Sequence, residues 1–378
     1  MLIGILKENL QYENRVAITA NIVKSLISSG HKVNIESGAG ESSFVSDNDF
    51  TQAGAAISNS KSDIFNADII FKVNAPNSDE LNSIKEGSTV ISFFQIKDQK
   101  EHLKTYMDKQ ITLLSMSHIP RTTLAQNMDA LSSQSNIAGY KAVLIGASYI
   151  SKYMPLLMTA AGTIQPSKVL ILGAGVAGLS AIATAKRLGA QVFAFDVRPV
   201  VKEQVESLGA KFIEVKTENA DEGVGDGGYA KETSDEYKQK QSELIKETIA
   251  KMDLVITTAL IPERPAPILI SKDIVESMKA GSAIMDLAAP NGGNCELTKQ
   301  NEVITHNGIK IDGMTNLPAT MPNHASSLYS KNLFNLFSYI YKEDITEPNM
   351  EDEIVNGSIL FNKGEINNET LKNFIDKG

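Results

Sequence analysis

The sequence has no tryptophan, a single cysteine and no apolar run long enough to cross a membrane. Each shortage removes a class of protein. One cysteine, Cys295, excludes an internal disulfide framework and fits a reducing cytoplasm. Without about 18 consecutive apolar residues there is no candidate transmembrane helix. The start, Met1-Leu-Ile-Gly-Ile-Leu-Lys7, lacks the basic region and small-residue cleavage site of a secretory signal. Basic clusters are missing too: 36 Lys and Arg stand against 45 Asp and Glu, a net charge of −9, which argues against a nucleic-acid partner. The five histidines are His31, His102, His118, His306 and His324, and no pair of them has metal-ligand spacing, so no metal site is expected. His118, just before Pro120 and Arg121, is the one serious acid–base candidate; the other four read as structural. No serine sits in a nucleophile elbow.

What is present is material for a core: 42% of the 378 residues are hydrophobic, enough for one large or two ordinary domains. Residues 1–118 repeat a strand-then-helix rhythm. Apolar runs at 2–6, 32–35, 68–73, 89–94 and 111–115 alternate with helical patterns at 20–28, 77–85 and 98–109. That alternation predicts a parallel sheet covered on both faces. The Gly38-Ala-Gly40 triplet reads as a turn, because no apolar helix follows it closely. A second α/β region spans 168–313, with further strands expected at 253–257, 282–287 and 309–312. Residues 323–341 read as a long helix that returns to the first domain, and beyond Glu343 periodicity is weak until 369–375. The expected fold is therefore α/β. Two doubly wound, Rossmann-like domains flank a cleft, residues 1–130 with 320–378 forming one and residues 131–319 the other.

One stretch organises the second domain. Val169-Leu-Ile-Leu172 reads as a buried parallel strand, Gly173-Ala-Gly-Val-Ala-Gly178 follows as G-x-G-x-x-G, and a helical pattern over 179–188 ends at Gly189. A second apolar run, 191–195, closes on Asp196. The motif alone is weak. With the strand before it, the helix after it and an acid 18 positions beyond Gly178, it predicts a dinucleotide site. Gly173 permits the tight turn, Gly175 admits a pyrophosphate to the backbone and Gly178 lets helix pack on strand. The phosphates would sit on the positive end of the helix. Asp196 would accept hydrogen bonds from ribose hydroxyls and repel a 2′-phosphate, favouring NAD over NADP; Arg198, a basic residue close by, complicates that preference.

Two other stretches stand apart. Residues 217–231 carry Gly223, Gly225, Gly227 and Gly228 among four acids, the composition of a disordered segment or a functional lid. Residues 121–136 are polar but nearly uncharged. If helical, Gln126, Asp129, Ser133 and Asn136 share one stripe while Met128, Leu131 and Ala138 share another. The stripe is either a solvated face or a site for a polar ligand such as a carboxamide.

The run Arg121…Gln126-Asn-Met-Asp129-Ala-Leu-Ser132-Ser133-Gln-Ser-Asn136-Ile-Ala-Gly139-Tyr140 resembles a hallmark of the NAD(H)-binding component, domain I or alpha subunit, of proton-translocating NAD(P) transhydrogenase. Gly173–Gly178, Asp196-Val-Arg198, Gly228-Tyr229-Ala-Lys-Glu232, Ile261-Pro262…Arg264-Pro-Ala-Pro267 and Gly292-Gly-Asn-Cys295 are similar to that family as well, so the likeness runs from Gly4 to about Tyr341. It implies that Arg121, Gln126, Asp129 and Ser132 surround the nicotinamide. It implies that Gly173, Ala174, Gly175, Val176, Gly178, Asp196, Val197, Arg198, Ala259 and Leu260 hold the rest of NAD(H), with Tyr229 on a loop that closes over it. Thr233 departs from the family, which usually has methionine there. The resemblance further implies hydride transfer to NADP(H) carried by a partner, a membrane-embedded subunit with the proton channel, and a homodimer. The chain would be cytoplasmic, held at the inner membrane through its partner.

Alanine dehydrogenase is the nearest alternative, similar in architecture and in the pattern Lys7-Glu8…Arg15-Val-Ala-Ile-Thr19. Its substrate-binding arginine and lysine match Arg15 and Lys72, but its catalytic histidine and aspartate fall at Gln95 and Pro290. A third possibility, a catalytically silent NAD-binding protein, would keep the nucleotide motif and lose the nicotinamide-end residues, which are all present.

Overall fold

The computed structural model describes residues 1–215, 234–260, 264–342 and 347–377. By its contacts the chain divides into two compact units, Met1–Gln134 with Pro318–Gly378, and Ser135–Leu317. The division falls inside one helix, Ala130–Tyr149.

The first unit begins with six short strands, β1 (Leu2–Ile5), β2 (Lys32–Glu36), β3 (Ala56–Ser58), β4 (Ile69–Phe71), β5 (Thr89–Ser92) and β6 (Thr112–Ser115). They pair in parallel in the spatial order β3-β2-β1-β4-β5-β6, the doubly wound order whose direction reverses between β1 and β4. Alternate side chains serve two cores, as the pleat requires. Ile3, Ile5, Ile69, Phe71 and Ile91 pack with the helices Ala20–Ser28 and Pro322–Ile340. Ile70, Val90 and Leu113 face the other way, against Leu81, Leu103 and Tyr106. The late helix is thus part of the first unit: its Phe337 is buried and meets Phe71 edge-on at 5.5 Å.

The second unit carries a small antiparallel hairpin, β7 (Leu157–Thr159) with β8 (Gly162–Ile164). Its main sheet is built from β9 (Lys168–Leu172), β10 (Gln191–Phe195), β11 (Lys211–Ile213), β12 (Leu254–Thr257), β13 (Ala283–Asp286), β14 (Val303–His306) and β15 (Ile309–Asp312). The order is β11-β10-β9-β12-β13-β15-β14, parallel except for the edge strand β14. Again the direction reverses beside the first strand, here between β9 and β12. Val169 and Ile171 face one core with Ala181 and Ala185, while Leu170 and Leu172 face another with Ile249 and Ile274.

Several expectations need correction. The tail is not aperiodic. Its strands β16 (Ile359–Asn362) and β17 (Glu365–Ile366) extend the first sheet, β16 lying antiparallel to β6. Leu360 and Phe361 are fully buried there, and a four-residue strand is too short to show its period. The polar stripe from Gln126 to Asn136 is not one helix face. Residues Gln126–Met128 form a 3-10 turn, Asp129 breaks it at ψ 87°, and the α-helix begins at Ala130. The helix after the glycine motif starts earlier than its apolar pattern, at Val176, because its first turn faces open space. Residues Ile96–His102 are a 3-10 helix that becomes α-helical only over Leu103–Asp108. The Gly38 segment is a turn, as its sequence suggests. Among the described residues no helix is long and apolar enough to cross a membrane.

Candidate functional site

The three glycines after β9 differ in what surrounds them. Gly173 has φ +100°, and a Cβ there would lie 2.6 Å from Thr258 Oγ1. Such a φ costs a non-glycine residue strain whatever the space. A Cβ on Gly178 would come within 1.9 Å of the Gly173 carbonyl oxygen, so helix and strand approach as closely as backbone allows. Around Gly175 a Cβ would meet nothing within 4 Å. The fold has no need of glycine at 175; what the small residue keeps clear is space outside the chain. Gly175 is also the N-cap of helix Val176–Arg187, and its carbonyl accepts from Leu179 N–H at 2.8 Å. The amides ahead of Leu179 precede the helical ladder and sit at the positive end of the dipole. Space, amides and positive potential coincide, so these residues fit a dinucleotide pyrophosphate.

Asp196 follows β10, whose end is locked to the glycine turn by Gly173 N–H donating to Phe195 O at 2.8 Å. Its carboxylate is already fully engaged. Oδ2 accepts from Ala174 N–H at 2.7 Å and from Arg198 Nη2 at 2.7 Å, while Oδ1 accepts from Arg198 N–H at 2.9 Å and Arg198 Nε at 2.8 Å. Asp196 holds the half-buried guanidinium still more firmly protonated than usual. The acid thus ties the glycine turn to the next strand, and its charge is compensated by Arg198. That neutralisation weakens the simple argument that Asp196 alone repels a 2′-phosphate. Val197 lies between them, half-buried against the core behind β9.

Across β9, Thr258 N–H donates to Leu172 O at 2.8 Å and its Oγ1 donates to Gly173 O at 2.9 Å. Ala259 and Leu260 come next, Leu260 being 41% exposed. Sequence reasoning misses Thr258, whose only signal is a small polar residue directly after an apolar strand. Asn294 falls within a recognisable motif, but nothing in the sequence gives it a role.

The residues expected at the nicotinamide end all lie in the first unit. Asp129 caps the helix Ala130–Tyr149: its carboxylate accepts from Ser132 N–H at 2.9 Å and Ser132 Oγ at 2.5 Å. Gln126 and Arg121 are exposed. The turn that carries Gln126 is pinned by Asn332 Nδ2 and Asn335 Nδ2, which donate to Asn127 O at 2.8 and 2.9 Å. Asp129 and Ser132 are therefore brought together, and Gln126 is fixed through its neighbour. Tyr229, Thr233, the glycine-rich stretch 217–231 and Ile261-Pro262 lie outside the described residues.

A second polar cluster occupies the reversal point of the first sheet, between β1 and β4. Arg15 donates from Nε and Nη2 to both oxygens of Glu13, at 2.8 and 2.7 Å, and from Nη1 to Gln134 at 2.9 Å. Lys72, 2% exposed, pairs with Glu80 at 3.1 Å and Glu8 at 3.8 Å. Burial pushes the Glu8 carboxyl up, against the pull of Lys72. Burial also opposes the Glu13 charge, but Arg15 and Asn74 outweigh it and hold that carboxyl below its usual range. Gln95 is exposed, and Pro290 lies in the 3-10 turn Ala289–Asn291. His118 bonds Ser115 through Nδ1 at 2.7 Å, and burial pushes its pKa down to about 4.

Residues 4–138 match the alanine dehydrogenase/PNT N-terminal domain, and residues 142–369 match the alanine dehydrogenase/PNT C-terminal domain. The chain belongs to the alanine dehydrogenase/PNT family. It is 44% identical over 374 residues to the first segment of the divided NAD(P) transhydrogenase subunit alpha of Rhodospirillum rubrum, covering 97% of both chains. It is also 44% identical over 368 residues to the NAD(P) transhydrogenase subunit alpha of Haemophilus influenzae, covering 97% of this chain and 71% of that one. Among solved structures, transhydrogenase from Sinorhizobium meliloti superposes with a TM-score of 0.85 at 38% identity, covering 98% of this chain and all of that one. An L-alanine dehydrogenase superposes almost as well, with a TM-score of 0.84 over the whole of this chain and 99% of the other, but at 25% identity. Fold alone therefore does not separate the two activities, and the site residues must.

Proposed function

We propose that the chain is the NAD(H)-binding subunit of a proton-translocating transhydrogenase. NAD(H) held here exchanges hydride with NADP(H) on a partner, and a separate membrane subunit couples the exchange to proton movement. The observation that carries the nucleotide half is Gly175, a glycine the fold does not need, set at a helix N-terminus with open space before it. In this reading the amides of Gly173, Ala174, Gly175 and Val176 face the pyrophosphate, Gly178 keeps the helix close, and Asp196, Val197 and Arg198 take the adenosine ribose. Ala259 and Leu260 line the nicotinamide half, and Tyr229 closes over it.

Hydride transfer between two nucleotides needs no general acid or base from the protein. It needs orientation and dryness, and Arg121, Gln126, Asp129 and Ser132 are suited to give orientation. Asp129 is held by Ser132, so its second lone pairs can address a carboxamide, while Gln126 offers a matching amide. Gln95 and Pro290, standing where amination chemistry requires His and Asp, favour this reading over an alanine dehydrogenase. A homodimer belongs to the same proposal. The hairpin region exposes Tyr153, Leu156, Met158 and Ile164, the last three at 51%, 77% and 41%, an apolar surface suited to a second copy. Attachment to the membrane would come through the partner.

The test is stopped-flow transfer between NADH on this chain and an NADP⁺ analogue on the NADP(H)-binding domain of a transhydrogenase. Rapid transfer is expected, slowed far more by Gln126→Ala or Asp129→Asn than NADH binding is weakened. A mixture that stays inactive with both proteins loaded would refute the assignment.

A further inference from the structure

Asn294 is completely buried, and its carboxamide makes three hydrogen bonds to one neighbouring segment. Its Oδ1 accepts from Ala259 N–H at 3.0 Å, and its Nδ2 donates to Ala259 O at 2.9 Å and Pro267 O at 2.8 Å. An amide that accepts from and donates to the same residue imitates the rung of an adjacent strand. It does so where strand pairing has stopped, since β12 ends at Thr257. Ala259 therefore has no backbone group left for a ligand. It and Leu260 can offer only apolar contact, and their position depends on Asn294.

Asn294 is itself held by a chain of specific features. Gly292 and Gly293 have φ of +100° and +90°, and a Cβ on Gly293 would lie 2.7 Å from Asp286 Oδ2. Asp286, buried at the end of β13, accepts from Thr257 Oγ1 at 2.8 Å, Ala288 N–H at 3.0 Å, Cys295 N–H at 3.0 Å and Thr298 Oγ1 at 2.6 Å. Its two oxygens thus link the end of β12 to the loop that carries Asn294.

The register places this device relative to the nucleotide. Phe195, Leu172 and Thr257 are neighbours across β10, β9 and β12, so Asp196 and Ala259 lie on opposite sides of the Gly173 turn. Two strand spacings, roughly 9–10 Å, separate the outer strands, a span a dinucleotide bridges through its pyrophosphate. We propose that Asn294 is a positioning residue that sets the height of Ala259 and Leu260 under the nicotinamide half of the nucleotide, leaving the adenosine half to the glycine turn and Asp196. The inference rests on the NAD(H) site proposed above.

The test uses the full chain and two ligands, NADH, which spans both halves, and ADP-ribose, which lacks the nicotinamide. Asn294→Ala removes all three hydrogen bonds; Asn294→Asp keeps the shape and the bond from Ala259 N–H but turns a carboxylate towards two carbonyls. For whichever variant melts cooperatively, NADH affinity is expected to fall at least ten-fold and ADP-ribose affinity less than two-fold. Equal losses for the two ligands, or no loss for either, would overturn the proposal, and so would the failure of both variants to fold, which would make Asn294 a folding residue only. If the unsubstituted chain binds ADP-ribose but not NADH, or neither, the nucleotide reading itself fails, an outcome distinct from all of these.

Discussion

Asp196→Asn is the sharpest perturbation available, because its carboxylate joins the stability of the glycine turn to the choice of nucleotide. Four donors converge on its two oxygens, three of them from Arg198 and one from Ala174. An amide keeps one accepting oxygen and turns its NH₂ against the two donors on the other side. Each charge-assisted hydrogen bond is worth about 1.5–3 kcal/mol. Breaking a fully buried ion pair costs about 3–5 kcal/mol, and here the guanidinium retains 16% side-chain exposure, so part of that cost is relieved by water. We therefore expect a loss of about 2–4 kcal/mol in urea denaturation. NADH binding should weaken by about 1.5–3 kcal/mol through the lost ribose acceptor, roughly a 10- to 100-fold change.

The change in preference is the more telling quantity. With the carboxylate gone, Arg198 is released to meet a 2′-phosphate, so NADPH should lose less affinity than NADH, or gain. The ratio of the two dissociation constants, measured by fluorescence titration, should move at least ten-fold towards NADPH, and the gain should shrink at high salt. A ratio that stays within two-fold of the original, alongside the stability loss, would mean that Asp196 only builds the turn and does not read the ribose.

Gly175→Ala should leave the melting temperature unchanged yet abolish NADH binding, whereas Gly178→Ala should lower both, since only the second drives a methyl into a carbonyl, at 1.9 Å; equal melting for the two would refute the distinction. His118 is kept neutral by burial, with a pKa of about 4 against 6.5 unfolded, so its contribution is complete above pH 6.5 and is lost as pH falls towards 4, up to about 3 kcal/mol. Denaturation midpoints at pH 7.5 and 5 should show that loss, and His118→Gln should flatten it. Burial pushes the Cys295 thiol up to about 11, so a disulfide reagent at pH 8 should modify it only after unfolding; rapid labelling of the native chain would contradict that placement. With NAD and L-alanine the chain should form no pyruvate, checked by a coupled assay.

The parts of the fold that can be read from the sequence are those whose signal is local. The strand Gln191–Phe195 and the helix Ala20–Ser28 have the limits that their apolar patterns give, because each element's buried face is fixed by its own residues. The glycine motif is readable for the same reason, each glycine answering to a contact within the βαβ unit. Elements whose justification is distant are not. β16 is a strand because β6 offers it a free edge and a core takes Leu360 and Phe361. The break at Asp129 is hidden because capping replaces one helical turn by a side chain, while the periodicity of the flanking residues continues. Arg198 shows only that a base stands near Asp196; that it closes on the carboxylate through three hydrogen bonds depends on the turn between them.

The first unit bears on the choice between the two activities of the family more than its shared fold suggests. An α-keto acid substrate needs a cation free to meet its carboxylate, and the candidates are Arg15 and Lys72. Both are buried, and both are already paired within the unit, Arg15 with Glu13 and Gln134, Lys72 with Glu80 and Glu8. Two cations face three carboxylates, so the cluster carries a net negative charge unless Glu8 takes a proton, which burial favours. A further anion would meet this balance unfavourably, and displacing Glu13 from Arg15 would leave a buried carboxylate unpaired, at a cost of about 3–5 kcal/mol. The same cluster holds the unit together: Glu8 accepts from Val73 N–H at 2.7 Å, and Tyr329 from the late helix donates to Lys72 O at 2.7 Å. Charges that could serve a small carboxylate are here committed to joining β1, β4 and the late helix. With Gln95 and Pro290 unable to move a proton, the first unit is built as a rigid support for the turn that carries Gln126 and Asp129, which is what exchange between two nucleotides asks of it.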